Sequence, residues 1–380
     1  MAFTLTRIQR AETDTIEDTE EYILNMGPQH PSTHGVLRLL LRCDGEIVKE
    51  IKPYFGYLHR CYSKVVEDLT YVQGVPYSDR WDYLASMTNN HVNCLAIEKL
   101  AGIEVPRRAE YIRVMIAELQ RIASHLFWFG TQVNDLGGYT PFMWAVRHRE
   151  KIVDIFEELS GARLTYHYMR PGGVMRDINA KAGKWIEEFV KELPQHMRNY
   201  DDLIMGNEIL LVRMDGVGVL TSDLAIKYGI SGPVLRATGV KWDLRKNIPY
   251  SVYPEFDFEI PTRQKGCSLS RWEIRIEEIR QAARIVAQAL MGLPAGDYKA
   301  KVPRAIKPPK GDVYASIEAP RGELGMYMVS DGSTKPWRVH CRSSCLINLT
   351  ALNEITRGTP IADLIAILGS IDIVLGETDR

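Results

Sequence analysis

Between residues 107 and 133 apolar side chains recur at Ile112, Met115, Ile116, Leu119, Ile122, Ala123, Leu126 and Phe129. This is the i, i+3, i+4, i+7 repeat of one helical face, and it predicts a long helix buried against a core. Helical patterning returns at residues 144–160, 178–205 and 271–292, so the centre of the chain reads as a helical bundle. The long helix runs out at Thr131-Gln132-Val133-Asn134-Asp135-Leu136-Gly137-Gly138, where the paired glycines stop it. Asp135 is left near the negative end of the helix dipole, where a carboxylate is disfavoured by a few tenths up to about 1 kcal/mol. Either solvent or a hydrogen-bonded histidine offsets that cost.

Strand signals flank the bundle. Tyr22 to Met26 makes a short strand that leads into Gly27-Pro28-Gln29-His30-Pro31-Ser32-Thr33-His34-Gly35. Residues 36–43 and 46–53 flank Asp44-Gly45, a strong hairpin signal, so the histidine loop joins strands of one small antiparallel sheet. A helical pattern begins near Tyr57 and runs to Val66, Gln73 to Tyr77 reads as a loop, and a second helix is expected from about Arg80. Residues 216–266, rich in Gly, Pro and aromatics, are expected to wrap the bundle as loops and short helices. Within them Gly229 to Gly239 looks like a phosphate loop but lacks both the GxGxxG spacing and a Lys-Ser/Thr pair. Lys307-Pro308-Pro309-Lys310-Gly311 is a linker signal that opens a C-terminal β region, with strands at 313–318 and 323–329 and a helix from about Pro360 to Gly369. The pattern is α+β, with an acidic arm at 1–20, a β region at 21–56, a bundle with wrapping loops at 57–306 and a β region with a terminal segment at 307–380.

Composition excludes several function classes. Lys plus Arg number 47 against 48 Asp plus Glu, so no basic field recruits nucleic acid or anionic lipid. The start of the chain lacks the long apolar run of a secretory signal and turns acidic by Glu12. The apolar run from Ile361 to Gly376 is broken by Asp363 and Asp372 and is shorter than the roughly 20 residues of a membrane span. The six cysteines are scattered, with Cys341 and Cys345 the only close pair, placed in a strand-like segment, and no Cys-x2-Cys that would support zinc or an iron-sulfur cluster.

The residues with chemical potential lie in the histidine loop and in Arg80-Trp81-Asp82-Tyr83-Leu84-Ala85. Pro and Gly stiffen the first, and a stiff loop can aim His34; the bland alternative is a surface histidine. A hydrolase built on His30, His34 and Asp135 has little support, because a zincin needs its two histidines on one helical face.

These stretches, together with Gly56-Tyr57-Leu58-His59-Arg60, Arg170-Pro171-Gly172-Gly173-Val174, Gly229-Ile230-Ser231-Gly232-Pro233, Glu318-Ala319-Pro320-Arg321-Gly322-Glu323-Leu324-Gly325 and Ile371-Asp372-Ile373-Val374-Leu375-Gly376-Glu377-Thr378-Asp379-Arg380, closely resemble the D-type catalytic-core subunit of respiratory complex I, the proton-pumping NADH:quinone oxidoreductase. The ordered set spans residues 20 to 380. That family is in turn similar in fold to the large subunit of nickel-iron hydrogenases. The comparison puts Asp82, Ala85, Val374 and Glu377 where the hydrogenase holds its metal with cysteines, so soft thiolate ligation of nickel is excluded.

The resemblance implies that the metal-free cavity takes a quinone headgroup. His34 and Tyr83 are then donors to it, with Asp135 bonded to His34 and favouring the charged imidazolium, while His30 and Thr131 shape the pocket. Arg60 matches an arginine beside the terminal 4Fe-4S cluster, which a neighbouring subunit holds. The family's setting is the bacterial inner membrane, peripheral and on the cytoplasmic side. Implied partners are the cluster-bearing subunit, the C-type subunit of the peripheral arm, the H-type membrane subunit and the ferredoxin-like I-type subunit. No cofactor is expected on this chain itself; FMN and the iron-sulfur clusters belong to partner subunits.

Two positions depart from the family. Many relatives carry Arg-Gly-x-Glu-Lys where this chain has Arg60-Cys61-Tyr62-Ser63-Lys64, and a His where it has Thr165, with His167 two places on. The loss of that ionisable group points to a low-potential quinone such as menaquinone, with ubiquinone and plastoquinone left open. Two alternatives stand beside a quinone-reducing subunit: a scaffold that docks peripheral to membrane modules, and the equivalent subunit of a complex fed by ferredoxin.

Overall fold

The computed structural model describes residues 5–7, as backbone, and residues 21–380. Most of the expected acidic arm lies outside these residues; Leu5–Arg7 forms a strand that pairs with Glu21–Met26.

The N-terminal sheet is antiparallel, with Glu21–Met26 between Leu5–Arg7 and Arg38–Asp44, and Ile47–Tyr54 at the far edge. Leu39, Leu41 and Cys43 are fully buried while Arg42 between them is exposed, the period-two pattern of a strand with one covered face. The hairpin forms as expected but turns at Gly45-Glu46, because Asp44 still pairs with Ile47, and Gly45 takes φ +56°, a conformation that favours glycine. The inner face of the sheet packs on Leu352, Leu364, Ile367, Leu368 and Leu375, so the two ends of the chain share one core.

A four-helix bundle fills the centre: Arg107–Asp135, Tyr139–Ser160, Ala180–Met205 and Ser268–Met291. The long helix packs against both Tyr139–Ser160 and Ser268–Met291. Ser86–Ala101 lies between the long helix and the C-terminal sheet. That sheet has strand order Arg338–Arg342, Gly322–Ser330, Gly311–Ala319, and its central hairpin turns at Pro320-Arg321. Two helices close the chain, Ile361–Ile371 and Leu375–Asp379. The arrangement is α+β.

Several local expectations are corrected. The helix near Tyr57 spans only Tyr62–Glu67, because the Asp379 carboxylate takes the Gly56 and Leu58 amides at 2.8 and 2.7 Å and holds Tyr57-Leu58 in a turn, which the His59 amide closes on the Gly56 carbonyl at 3.1 Å. Gln73 to Tyr77 is not a loop but part of the helix Tyr71–Ser78, started by a capping box between Thr70 and Gln73 that outweighs the single bond lost at Pro76. The helix expected from Arg80 begins at Ser86, since Asp82 Oδ1 accepts the Leu84 amide at 3.1 Å and turns the chain first. Cys345 is on the helix Ser344–Leu349, not on a strand; Ser343 caps that helix by accepting the Leu346 amide. Within Gly229 to Gly239, Gly232 serves close packing, since an added Cβ would lie 2.5 Å from Gly322 Cα, whereas Gly229 has open space and supplies a φ of +67°.

Candidate functional site

The long helix carries Asp135 as its last residue, so the side chain stands at the bundle end nearest the N-terminal sheet's histidine loop. In that loop Pro31–Thr33 forms a single 3-10 turn. His30 caps its start, with Nδ1 accepting the Ser32 amide at 3.2 Å. His34 closes it in the left-handed region at φ +54°. The buried Thr33 hydroxyl lies 2.8 Å from the carbonyls of both His30 and Gly35, which share its single proton, and locks the turn. His34 Nε2 thereby meets Asp135 Oδ2 at 2.5 Å, across 101 residues of sequence. Both side chains are partly covered, at 17% and 13% exposure. The pairing supplies what the carboxylate at a negative helix end requires. It also shows that His30 and His34 face different partners, and among the described residues no group of three or more His, Cys, Asp or Glu is placed to hold a metal ion.

Thr131 sits one turn before Asp135 on the same helical face and donates to the Trp128 carbonyl at 2.9 Å. Trp128 Nε1 in turn donates to the Gly369 carbonyl at 2.7 Å. Gly369, on the helix Ile361–Ile371, packs against this face: an added Cβ would fall 2.2 Å from Gln132 Oε1 and 3.6 Å from His34 Cε1. Gln132, which the sequence reading did not single out, also donates to the Ala366 carbonyl at 3.1 Å, and its Oε1 is buried without a partner.

Tyr83 lies in the turn before Ser86–Ala101 and is not hydrogen-bonded to His34 or Asp135. Its ring packs on Gly376, where a Cβ would stand 3.3 Å from Cε1. Burial, then the neighbouring Asp82, pushes its phenol above the ordinary range, so it keeps its proton at neutral pH. Arg60 is exposed, and its guanidinium donates to the Arg80 carbonyl at 2.6 Å while its amide donates to the Arg380 carbonyl at 3.2 Å.

The four places compared with hydrogenase cysteines are buried and committed elsewhere. Asp82 Oδ2 binds Arg321 at 2.5 Å. Glu377 Oε1 accepts from the Ser343 and Ser344 hydroxyls, each at 2.9 Å, and from the Cys345 amide at 3.1 Å. The Val374 amide donates to Cys345 Sγ at 3.3 Å. Arg321 and Asp372 stand inside motifs that the sequence reading matched, but their mutual bond was not foreseen, because residues 321 and 372 have no spacing that announces contact. Beside this network Asp79 is buried with its Oδ2 accepting the His167 amide at 3.1 Å. Burial lifts Asp79 to about 7. Burial, then Arg170 and Arg80, lowers His167 to about 4.

Comparison with known proteins identifies the family. The family model described as the 49 Kd subunit of respiratory-chain NADH dehydrogenase matches residues 135–310 and 300–380. The D-type subunit of NADH-quinone oxidoreductase from Dehalococcoides mccartyi is 53% identical over 363 residues, covering 95% of this chain and 99% of its own. The same subunit from Geobacillus thermodenitrificans and from Bacillus cereus is 53% and 51% identical over 362 residues, with the same shares covered. The chain belongs to the D-type subunit family of NADH-quinone oxidoreductase, the 49 Kd subunit of the respiratory-chain enzyme.

Proposed function

We propose that this chain forms the quinone headgroup site of a proton-translocating NADH:quinone oxidoreductase, with the cluster-bearing subunit completing it. His34 and Tyr83 act as donors to the two quinone oxygens. Two-electron reduction turns those oxygens into strong bases, and neutral or cationic donors beside them supply the protons. Asp135 orients the His34 ring and offsets charge when the imidazole is protonated. Thr131 lies beside the pair, and His30 shapes the loop through its cap. Arg60, exposed next to the Tyr83 turn, faces the neighbouring subunit's terminal 4Fe-4S cluster. The chain itself needs no cofactor in this scheme, because electrons arrive from clusters and FMN in other subunits. The C-type, H-type and I-type subunits are the remaining neighbours. Among the described residues no helix is long and apolar enough to cross a membrane. A peripheral position on the inner membrane's cytoplasmic side follows from the scheme.

The observation that carries this reading is the 2.5 Å contact between His34 and Asp135, which joins a locked loop to the end of the long helix. The test is quinone reduction per assembled complex. His34→Ala should lose most of the turnover while electron entry from NADH to an artificial acceptor is kept. Normal quinone turnover in both His34→Ala and Tyr83→Phe would defeat the assignment.

A further inference from the structure

His34 and Tyr83 stand on separate elements, and each rests on a glycine of the C-terminal segment. His34 lies against Gly369, near the end of Ile361–Ile371, and Tyr83 against Gly376, in the first turn of Leu375–Asp379. The residues between, Asp372-Ile373-Val374, therefore help to set the separation of the two rings. Asp372 takes the left-handed conformation at φ +61°, so this linker changes direction sharply.

One side chain ties the linker to the Tyr83 turn. Arg321 Nε donates to the Asp372 carbonyl at 3.0 Å, and one terminal nitrogen donates to Asp372 Oδ1 at 2.9 Å. The other binds Asp82 Oδ2 at 2.5 Å and the Ser124 hydroxyl at 2.9 Å. Asp82 immediately precedes Tyr83, and Ser124 belongs to the long helix that ends in Asp135. A single planar fork thus joins the linker, the Tyr83 turn and the long helix. The fork cannot drift: Arg321 is fully buried, its carbonyl accepts Asn348 Nδ2 at 3.0 Å, and Gly232 backs its turn with no space for a Cβ.

We propose that Arg321 is a positioning residue for quinone reduction, fixing Tyr83 relative to the linker that follows the helix on which His34 rests, without itself donating to the substrate. The proposal rests on the quinone-site reading above. Lysine in its place keeps the charge but reaches only one carboxylate at a time, so the spacing relaxes while both donors survive.

A buried arginine that only held the fold together would reduce the amount of complex and leave each assembled copy fully active. The experiment therefore compares Arg321→Lys and Asp372→Asn with Arg245→Lys, whose side chain is equally buried but pairs with Glu118 and Asp243 in the bundle core. Assembled complex, electron entry from NADH to an artificial acceptor, and kcat and KM with a short-tailed ubiquinone are measured for each. Arg321→Lys should lower kcat per assembled complex by up to about a hundredfold, with electron entry unchanged and KM moved far less. Arg245→Lys should leave kcat per complex as it was. Combining Arg321→Lys with Tyr83→Phe should cost less than the product of the single losses, because one change acts through the other. Should Arg321→Lys fail to assemble, Asp372→Asn, which keeps side-chain size, carries the test. Full kcat per complex in whichever variants assemble, multiplicative losses with Tyr83→Phe, or an equal loss in Arg245→Lys would overturn the proposal. Silence of Tyr83→Phe and His34→Ala themselves would remove the site reading, and the proposal with it. Loss in those two beside a normal Arg321→Lys would remove the positioning role alone.

Discussion

At the scale of single residues, function rests on side chains placed by small backbone constraints. Thr33 locks the turn that aims His34, and Gly369 leaves room for the Gln132 amide beside it. Gly369→Ala should therefore displace Gln132, one turn before the end of the helix that carries Asp135, and lower quinone turnover several-fold, measurable per assembled complex beside an unchanged electron entry. Asp79 makes a prediction about pH. Its folded-state value of about 7 lies above the ordinary carboxylate value of 3.8, so it favours the folded state below about 4 and this contribution is lost as pH rises to about 7. Asp79→Asn removes the burden of a buried charge, and its thermal stability relative to the parent should rise between pH 4 and 7 and then level off. A pH-independent difference in melting temperature would contradict this.

At this scale the sequence was informative where chemistry is local. His34, Tyr83 and Asp135 were singled out from loop stiffness, helix ending and resemblance, and the first and last do meet. Gln132 escaped notice because an amide inside a helix gives no local signal of the neighbour it touches. Arg321 was quoted only as part of a motif, since a guanidinium's partners are set by tertiary folding.

At the scale of elements, the apolar stripe of the long helix was legible, and the helix Arg107–Asp135 follows it closely. What periodicity did not reveal is that the opposite face is buried as well. Glu118, Arg121 and His125 lie on it and join a buried network: Arg236 binds Glu278 at 2.5 Å and Glu318 at 2.7 Å, and His125 reaches Glu278 at 2.9 Å. Charged residues at helical spacing ordinarily mark a solvated face, and it is the surrounding loops of residues 216–266, the helix Ser268–Met291 and the C-terminal sheet that make them internal. Removing one partner strands the others, so Arg236→Ala should destabilise the protein by about 3–5 kcal/mol. Denaturant titration of the assembled complex would read this as an early transition, and an unshifted midpoint would count against the network. The short helices depart from patterning for a related reason: Tyr71–Ser78 depends on a capping box rather than on an apolar stripe, and residues 56–60 are claimed by a carboxylate more than 300 positions away.

At the scale of the whole molecule, the chain is closed on itself by its end. Asp379 accepts the Gly56 and Leu58 amides, the Arg380 carbonyl accepts the Arg60 amide, and Arg380 donates to the Cys341 carbonyl at 2.9 Å. The C-terminal segment is thus shared by the N-terminal sheet, the Tyr83 turn and the bundle. Asp379→Ala should release residues 56–60, and faster amide exchange at Gly56 and Leu58 would show it; unchanged protection would not fit. The order of sheet, bundle and sheet was readable from patterning alone. The joining of first and last segments was not, because it rests on contacts that only the finished fold creates.

The central claim is that His34 and Asp135 act as one unit on a quinone. His34→Ala removes a donor and strands a partly buried carboxylate, whereas Asp135→Asn removes that charge and leaves the ring less well held. Quinone reduction should be measured per assembled complex in each single variant and in the double variant, with reduction of the neighbouring cluster monitored. The account predicts a double-variant loss clearly smaller than the product of the two single losses, with cluster reduction intact. Losses that simply multiply, or full turnover in His34→Ala, would contradict it.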